Sequence, residues 1–287
     1  MLRQHTIVNS LTKAFFIMST VLAFDSPLSS VIRTDYGFID YANRIIVSRG
    51  TADIISRELS ESDLQVVGKN IKLSKAEARA RARENLLDLV KLVNFDGRTV
   101  GEIMISDALT ESRIESLVGS AFQQGEIEYL ERREVAIALA VKMSGLAEIL
   151  VDASGYMNEG VAQSTYLMTK SAPPKSERTS GIVIDARTIY HVPAMVPKVF
   201  NEDDKLIYGP RHYTRSRSVN RGPMGYAHSM EDGNVRRRVG NNPILIEAVN
   251  SDDSINLTIS NLDSEKIREA EKKFGVLTNC KVLVLLK

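Results

Sequence analysis

The chain has 287 residues with 37 basic and 36 acidic side chains, a formal charge of +1, so no global electrostatic pull draws it to nucleic acid or to an anionic membrane. At 43% hydrophobic and 25% charged residues it is neither a disordered nor a fibrous chain, and its length suggests about two domains, each burying its own core. One cysteine, Cys280, excludes an internal disulfide and a thiolate zinc cage, and His5, His191, His212 and His228 make no ligand pair at helical spacing.

Residues 1–24 have the layout of a secretory signal peptide. Arg3 and Lys13 precede the apolar run Ala14–Phe24, and Asp25, Ser26 and Pro27 follow it. The run is too short to span a hydrocarbon core of about 30 Å as a helix. We therefore expect an exported, periplasmic protein with no transmembrane segment in the mature chain. No cysteine follows the run, which closes the lipoprotein route.

A first block covers 36–152. Phe38–Gly50 reads as one strand ending at glycine. Ser74 and Glu77 have the spacing of a capping box, and Ala78, Ala82, Leu86, Leu89 and Val93 form an apolar helical stripe behind it. Thr99–Ile105 reads as extended or loop. A second helix is expected over Glu111–Gln123 with Thr110 as N-cap. Gly125–Leu130 and Glu134–Met143 then read as paired strands around a turn at Glu131–Arg133 that lacks glycine. In the second strand Val135, Ile137, Leu139, Val141 and Met143 share one face, and Ala136, Ala138 and Ala140 the other. That alanine face is either core against a helix or an assembly surface.

Residues 153–180 are rich in serine, glycine and proline and read as a linker. The second block is 181–287. Ile182–Ile184 is a buried strand, Lys198–Tyr208 a hairpin around Asn201–Asp204, and 211–242 an irregular basic stretch. Ile244–Val249 and Ile255–Ser260 are strands. Leu262–Phe274 is a helix capped by Ser260 or Asn261 and closed by Gly275. Lys281–Leu286 is a final buried strand, with Cys280 at its start as a small core residue. The fold class is therefore α+β: two modules, each a mixed or antiparallel sheet packed with one or two helices.

Several segments carry a resemblance. Gly181–Arg187, Pro193–Lys198, Leu206–Gly209, Met224–Ala227, Arg238–Gly240 and Asn242–Pro243 are similar to a pattern found in exported bacterial proteins of largely unassigned function. Ile39–Tyr41, Lys75–Arg81 and Arg98–Glu102 resemble the small outer-membrane lipoprotein family that includes the flagellar protein FlgP, and the N-terminal module of FlgT. The resemblance implies an envelope protein whose first module builds assemblies, with self-association or envelope proteins as partners and flagellar involvement as one setting.

No Walker loop, nucleophile elbow or dinucleotide fingerprint occurs, so neither an enzyme nor a cofactor is expected. Between Asp203 and Gly240 eight cations face four anions. Export makes nucleic acid an improbable partner for this stretch. Arg211, Arg215, Arg217 and Arg221, with Arg187 after the strand, are the candidate site for an anionic envelope polymer or acidic partner. The alternative for the stretch is a solvated loop with internal ion pairs, and for Arg187 a pairing with an acidic residue of the hairpin. Asp203 and Asp204 read as turn formers.

Overall fold

The computed structural model describes residues 30–54, 64–131, 133–153, 178–251 and 253–287. The signal-peptide segment, and residues 154–177 of the expected linker, lie outside them. The class is α+β with two sheets.

The first sheet contains β1 (Val31–Thr34), β2 (Gly37–Asp40), β3 (Ile45–Asp53), β4 (Phe122–Gln123), β5 (Glu128–Leu130) and β6 (Glu134–Lys142). All its pairings are antiparallel, in the order β1-β2-β3-β6-β4, with β5 also on β6. The expected single strand 38–50 is two strands, because residues 41–44 turn between β2 and β3. The hairpin from β5 to β6 closes without glycine by placing Arg133 in the left-handed region (φ 57°), which costs a non-glycine residue about 1 kcal/mol.

Helix α1 (Leu64–Lys91) covers one face of this sheet. Its stripe Ala78, Ala82, Leu86 and Leu89, with Val93 just past the helix end, is fully buried and packs against β6. Gly50 of β3 lies under it, and a Cβ there would stand 2.2 Å from the carbonyl oxygen of Ala78. The helix begins ten residues before Ser74, so the expected capping box does not form. Ser74 Oγ instead donates to the carbonyls of Asp53 (2.8 Å) and Asn70 (3.0 Å), the back-bonding a serine adopts inside a helix.

The segment expected as loop is α2 (Val100–Ser106), capped by Thr99 in a reciprocal box with Glu102. Helix α3 (Ala108–Gly119) is capped by Asp107, not Thr110, which is buried within it and donates to Asp107 Oδ2 at 2.6 Å. Helix α4 (Met143–Ala153) follows β6 directly.

The second sheet is mixed, in the order β10-β13-β7-β11-β12-β8-β9. Its strands are β7 (Gly181–Asp185), β8 (Val199–Asn201), β9 (Leu206–Tyr208), β10 (Met224–Ala227), β11 (Pro243–Asn250), β12 (Leu257–Ile259) and β13 (Val282–Leu285). The expected hairpin is β8–β9. Helix α7 (Asn261–Phe274) has the Ser260 N-cap and the left-handed Gly275 C-cap read from the sequence. The stretch 211–242 is not irregular: it holds a 3-10 turn (Pro210–His212), α5 (Arg215–Arg221), β10 and α6 (Gly233–Val239). Short polar helices of seven residues carry too little apolar periodicity to be read from sequence.

The two modules share a main core, while a smaller cluster of Val183, Ala227, Val235, Val239, Leu283 and Leu285 lies in the second module alone. One apolar cluster runs from Ile39 and Leu86 through Phe95 to Tyr226 and Ile184. The backbone after α1 pairs with the segment after β7: Met195 N–H donates to Asn94 O (2.9 Å) and Val196 N–H to Phe95 O (2.8 Å). Tyr41 and Tyr226 meet edge to face with centroids 6.1 Å apart, worth about 1 kcal/mol beyond their burial. Tyr41 Oη accepts from Asn94 N–H (2.9 Å). Tyr226 Oη accepts from Ala194 N–H (3.0 Å) and donates to Ala194 O (2.9 Å). Helix α5 docks on α4 with an Arg215–Glu148 ion pair of 2.7 Å.

Tyr226→Phe strands both backbone groups of Ala194 in a buried site. We expect a loss of about 1–3 kcal/mol, read as a lower urea midpoint at unchanged slope. A midpoint equal to wild type would mean that the clamp on Ala194 carries no stability.

Candidate anion-binding cleft

Three of the five arginines singled out by sequence are tied down within their own surroundings. Arg187 forks onto Asp185, with Nε to Oδ1 at 2.9 Å and a terminal nitrogen to Oδ2 at 2.5 Å. Its partner is thus Asp185 itself and not the hairpin, and these bonds hold the Asp185 carboxyl below its ordinary range. Arg215 pairs with Glu148. Arg217 donates to Thr278 O (2.9 Å) and to Asn279 Oδ1. Arg211 donates to Leu206 O (2.8 Å) and borders a depression of about 440 Å³ with Lys205 and Arg268. Charge there is largely matched, since Arg268 pairs with Glu265, Lys205 with Asp203, and Glu271 stands in the wall.

Arg221, held like Arg211 and Arg217 by a neutral acceptor, differs in its surroundings. It lines a cleft of about 480 Å³ at the boundary of the modules, together with Arg44, Arg237 and Arg238. Arg44 comes from the turn between β2 and β3, held in the left-handed region (φ 56°). Arg221 ends α5, and Arg237 and Arg238 lie in the last turn of α6. Each guanidinium is oriented by neutral acceptors. Arg44 donates to Asn220 O (2.8 Å) and Val219 O (3.0 Å). Arg221 donates to Arg238 O (2.6 Å). Arg237 reaches Asn234 Oδ1 at 3.4 Å. Arg238 donates to Val282 O (2.9 Å), Arg221 O (2.7 Å) and Gly222 O (2.7 Å). Among the described residues none of these four forms an ion pair with a carboxylate.

Arg238 is the most enclosed. Burial pushes its guanidinium down to about 10, a shift that the nearby Arg221 and Arg44 charges reinforce. It remains charged at neutral pH. Gly225 of β10 makes room for it: a Cβ there would stand 2.9 Å from Arg238 Cδ. Carbonyl dipoles thus fix four cations without neutralising them, and five donors per guanidinium leave N–H groups free for an anion.

A second hollow of about 350 Å³, lined by Asp40, Asn43, His228 and Asp232, shares Ala42, Tyr226 and Asn234 with the cleft as wall residues, and Asn234 Nδ2 reaches Asn43 Oδ1 at 3.4 Å between the two. Among the described residues no three His, Cys, Asp or Glu side chains gather as a metal site, and no helix is long and apolar enough to cross a membrane.

The alanines of β6 lie opposite α1. Ala136 and Ala140 are buried and Ala138 is partly exposed. Phe122 and Glu128 pair with Ala140 and Ala136 in register, and Arg49 pairs with Ala138. These larger neighbours shade the alanines, and no described helix covers this face.

Near the seam, His191 is fully buried beside Tyr226, and among the described residues neither of its ring nitrogens has a hydrogen-bond partner. Burial pushes its pKa down to about 4. The unfolded chain takes up this proton near 6.5 and the folded chain only near 4, so the unfolded state binds more protons between those values. This group costs stability as pH falls through that window, about 3 kcal/mol in all. His191→Phe should remove that share of the acid loss, measured as urea midpoints at pH 7 and at pH 4. Equal acid losses in wild type and variant would show that His191 is not held neutral.

Residues 181–287, from the first residue of β7 to the end of the chain, match a family model described as the second domain of Treponema pallidum Tp0624. No curated protein matches the chain.

Proposed function

We propose that the protein is a binding module of the cell envelope that captures an anionic group between its two sheets. The observation that carries this reading is the set of four guanidiniums, Arg44, Arg221, Arg237 and Arg238, without a carboxylate among them. Like charges held together cost folding free energy, and an anion between them relieves that cost. The signal-peptide layout of residues 1–24 and the resemblance of 36–152 to the FlgP and FlgT modules support the envelope setting. On this reading the anion site is the seam, whereas the sequence alone pointed to Arg211, Arg215, Arg217 and Arg221 with Arg187.

Titration calorimetry with pyrophosphate at low ionic strength should give binding that weakens as salt rises. Arg237→Gln should weaken it about tenfold, because a hydrogen bond to a charged group is worth about 1.5–3 kcal/mol. Arg237 is exposed and holds no core contact, so its replacement leaves the fold intact. Binding that is absent, or indifferent to this change, would overturn the reading.

A second reading rests on the uncovered face of the first sheet. Phe122, 41% exposed, lies there beside Ala136, Ala138 and Ala140, and this surface supports an assembling role. On that reading the purified protein sediments as an oligomer and Phe122→Lys converts it to a monomer. A wild-type protein that is monomeric at all concentrations would remove it.

A further inference from the structure

We propose that the ligand of the seam is a sugar phosphate, its phosphoryl group among the four arginines and its sugar in the adjoining hollow. This rests on the anion-binding reading and extends it to the chemistry of the ligand.

The groove has two ends of different character. At one, four guanidiniums carry four positive charges, and a single carboxylate would leave most of that charge unmatched. A phosphate monoester brings nearly two negative charges and three terminal oxygens, each able to accept from more than one N–H. Arginine suits such a group better than lysine, since the planar fork meets two oxygens at once. Backbone carbonyls already hold the forks of Arg44, Arg221 and Arg238 at 2.6–3.0 Å, so for these three little side-chain freedom is lost on binding. The left-handed backbone of Arg44 is the kind of strain that collects at ligand sites.

At the other end, beyond Tyr226 and Asn234, the walls present Asp40, Asn43 and Asp232. Carboxylates there repel a second anionic group, which argues against an extended polyanion. Asp40 is buried and already accepts from Asn43 N–H and Nδ2, so Asp232 is the acceptor for hydroxyl or ammonium donors, which a sugar supplies. Other ligand classes fit less well. A nucleotide would seek a free aromatic face, but Tyr41 and Tyr226 are buried against each other. A lipid tail would seek a long apolar wall, and besides the mutually buried Tyr41 and Tyr226 only Val31, Leu283 and small side chains offer one. The two hollows, about 480 and 350 Å³, fall within the range usual for small-molecule sites.

The test compares glucosamine 6-phosphate, inorganic phosphate and glucosamine by calorimetry on the folded chain. Glucosamine 6-phosphate should bind about tenfold more tightly than phosphate, the worth of one charge-assisted hydrogen bond, and glucosamine alone should not bind measurably. Asp232→Asn keeps an acceptor for the His228 and Ser229 N–H groups. It should close most of the gap between the two phosphates while leaving inorganic phosphate unchanged. Arg237→Gln should weaken both. Equal affinities for the two phosphates, unmoved by Asp232→Asn but still lowered by Arg237→Gln, would overturn the sugar and leave the anion site standing. No arginine-dependent binding of any of these anions would overturn both.

Discussion

The hydroxyl of Tyr226 accepts from the N–H of Ala194 and donates to its carbonyl, and beside it Tyr41 receives the N–H of Asn94. Next to these bonds Met195 and Val196 donate to Asn94 and Phe95. The two sheets are therefore joined by main-chain pairing as well as by packing. A buried backbone group that loses its partner costs about as much as the whole net value of several exposed contacts, so this junction admits little adjustment. Arg44 then reaches from the first sheet to the carbonyls of Val219 and Asn220 at the end of α5.

The electrostatic character of the cleft follows from that geometry. Arg44 belongs to one module and Arg221, Arg237 and Arg238 to the other, so the four charges meet only where the sheets are joined. Each is oriented by a carbonyl or an amide. A carboxylate in those positions would give a stronger bond and a neutral site, as it does for Arg187 with Asp185 and Arg215 with Glu148. The four arginines of the cleft differ from these in having no carboxylate partner among the described residues.

The sequence makes periodic, apolar elements legible: the stripe of α1, the alternation of β6, the buried β7 and β13, and the caps of α7 all have short-range causes. The short helices α2, α5 and α6 are less so. Thr99–Glu102 has the spacing of a capping box, but the glycine and β-branched residue inside it read as extended. Ser74 has the same spacing and sits mid-helix. The arginine cleft is legible only in part. Arg221, Arg237 and Arg238 lie within the basic stretch, but Arg44 is far from them in sequence. Their partners are main-chain carbonyls, which leave no mark on residue type. Gly225 next to Tyr226 is the one local hint, since only glycine leaves space for Arg238. The segments around Tyr41, Pro193–Lys198, Met224–Ala227 and Arg238 border the seam.

Native-state hydrogen exchange at the seam tests the joining of the two modules most directly. The amides of Ala194, Met195 and Val196 should exchange only through global unfolding, with the same opening free energy and denaturant dependence as the amides of central strands β6 and β7. Exchange of these three amides through a smaller opening that leaves β6 and β7 protected would contradict the account. The modules would then separate while folded, and the four arginines would not form a standing site.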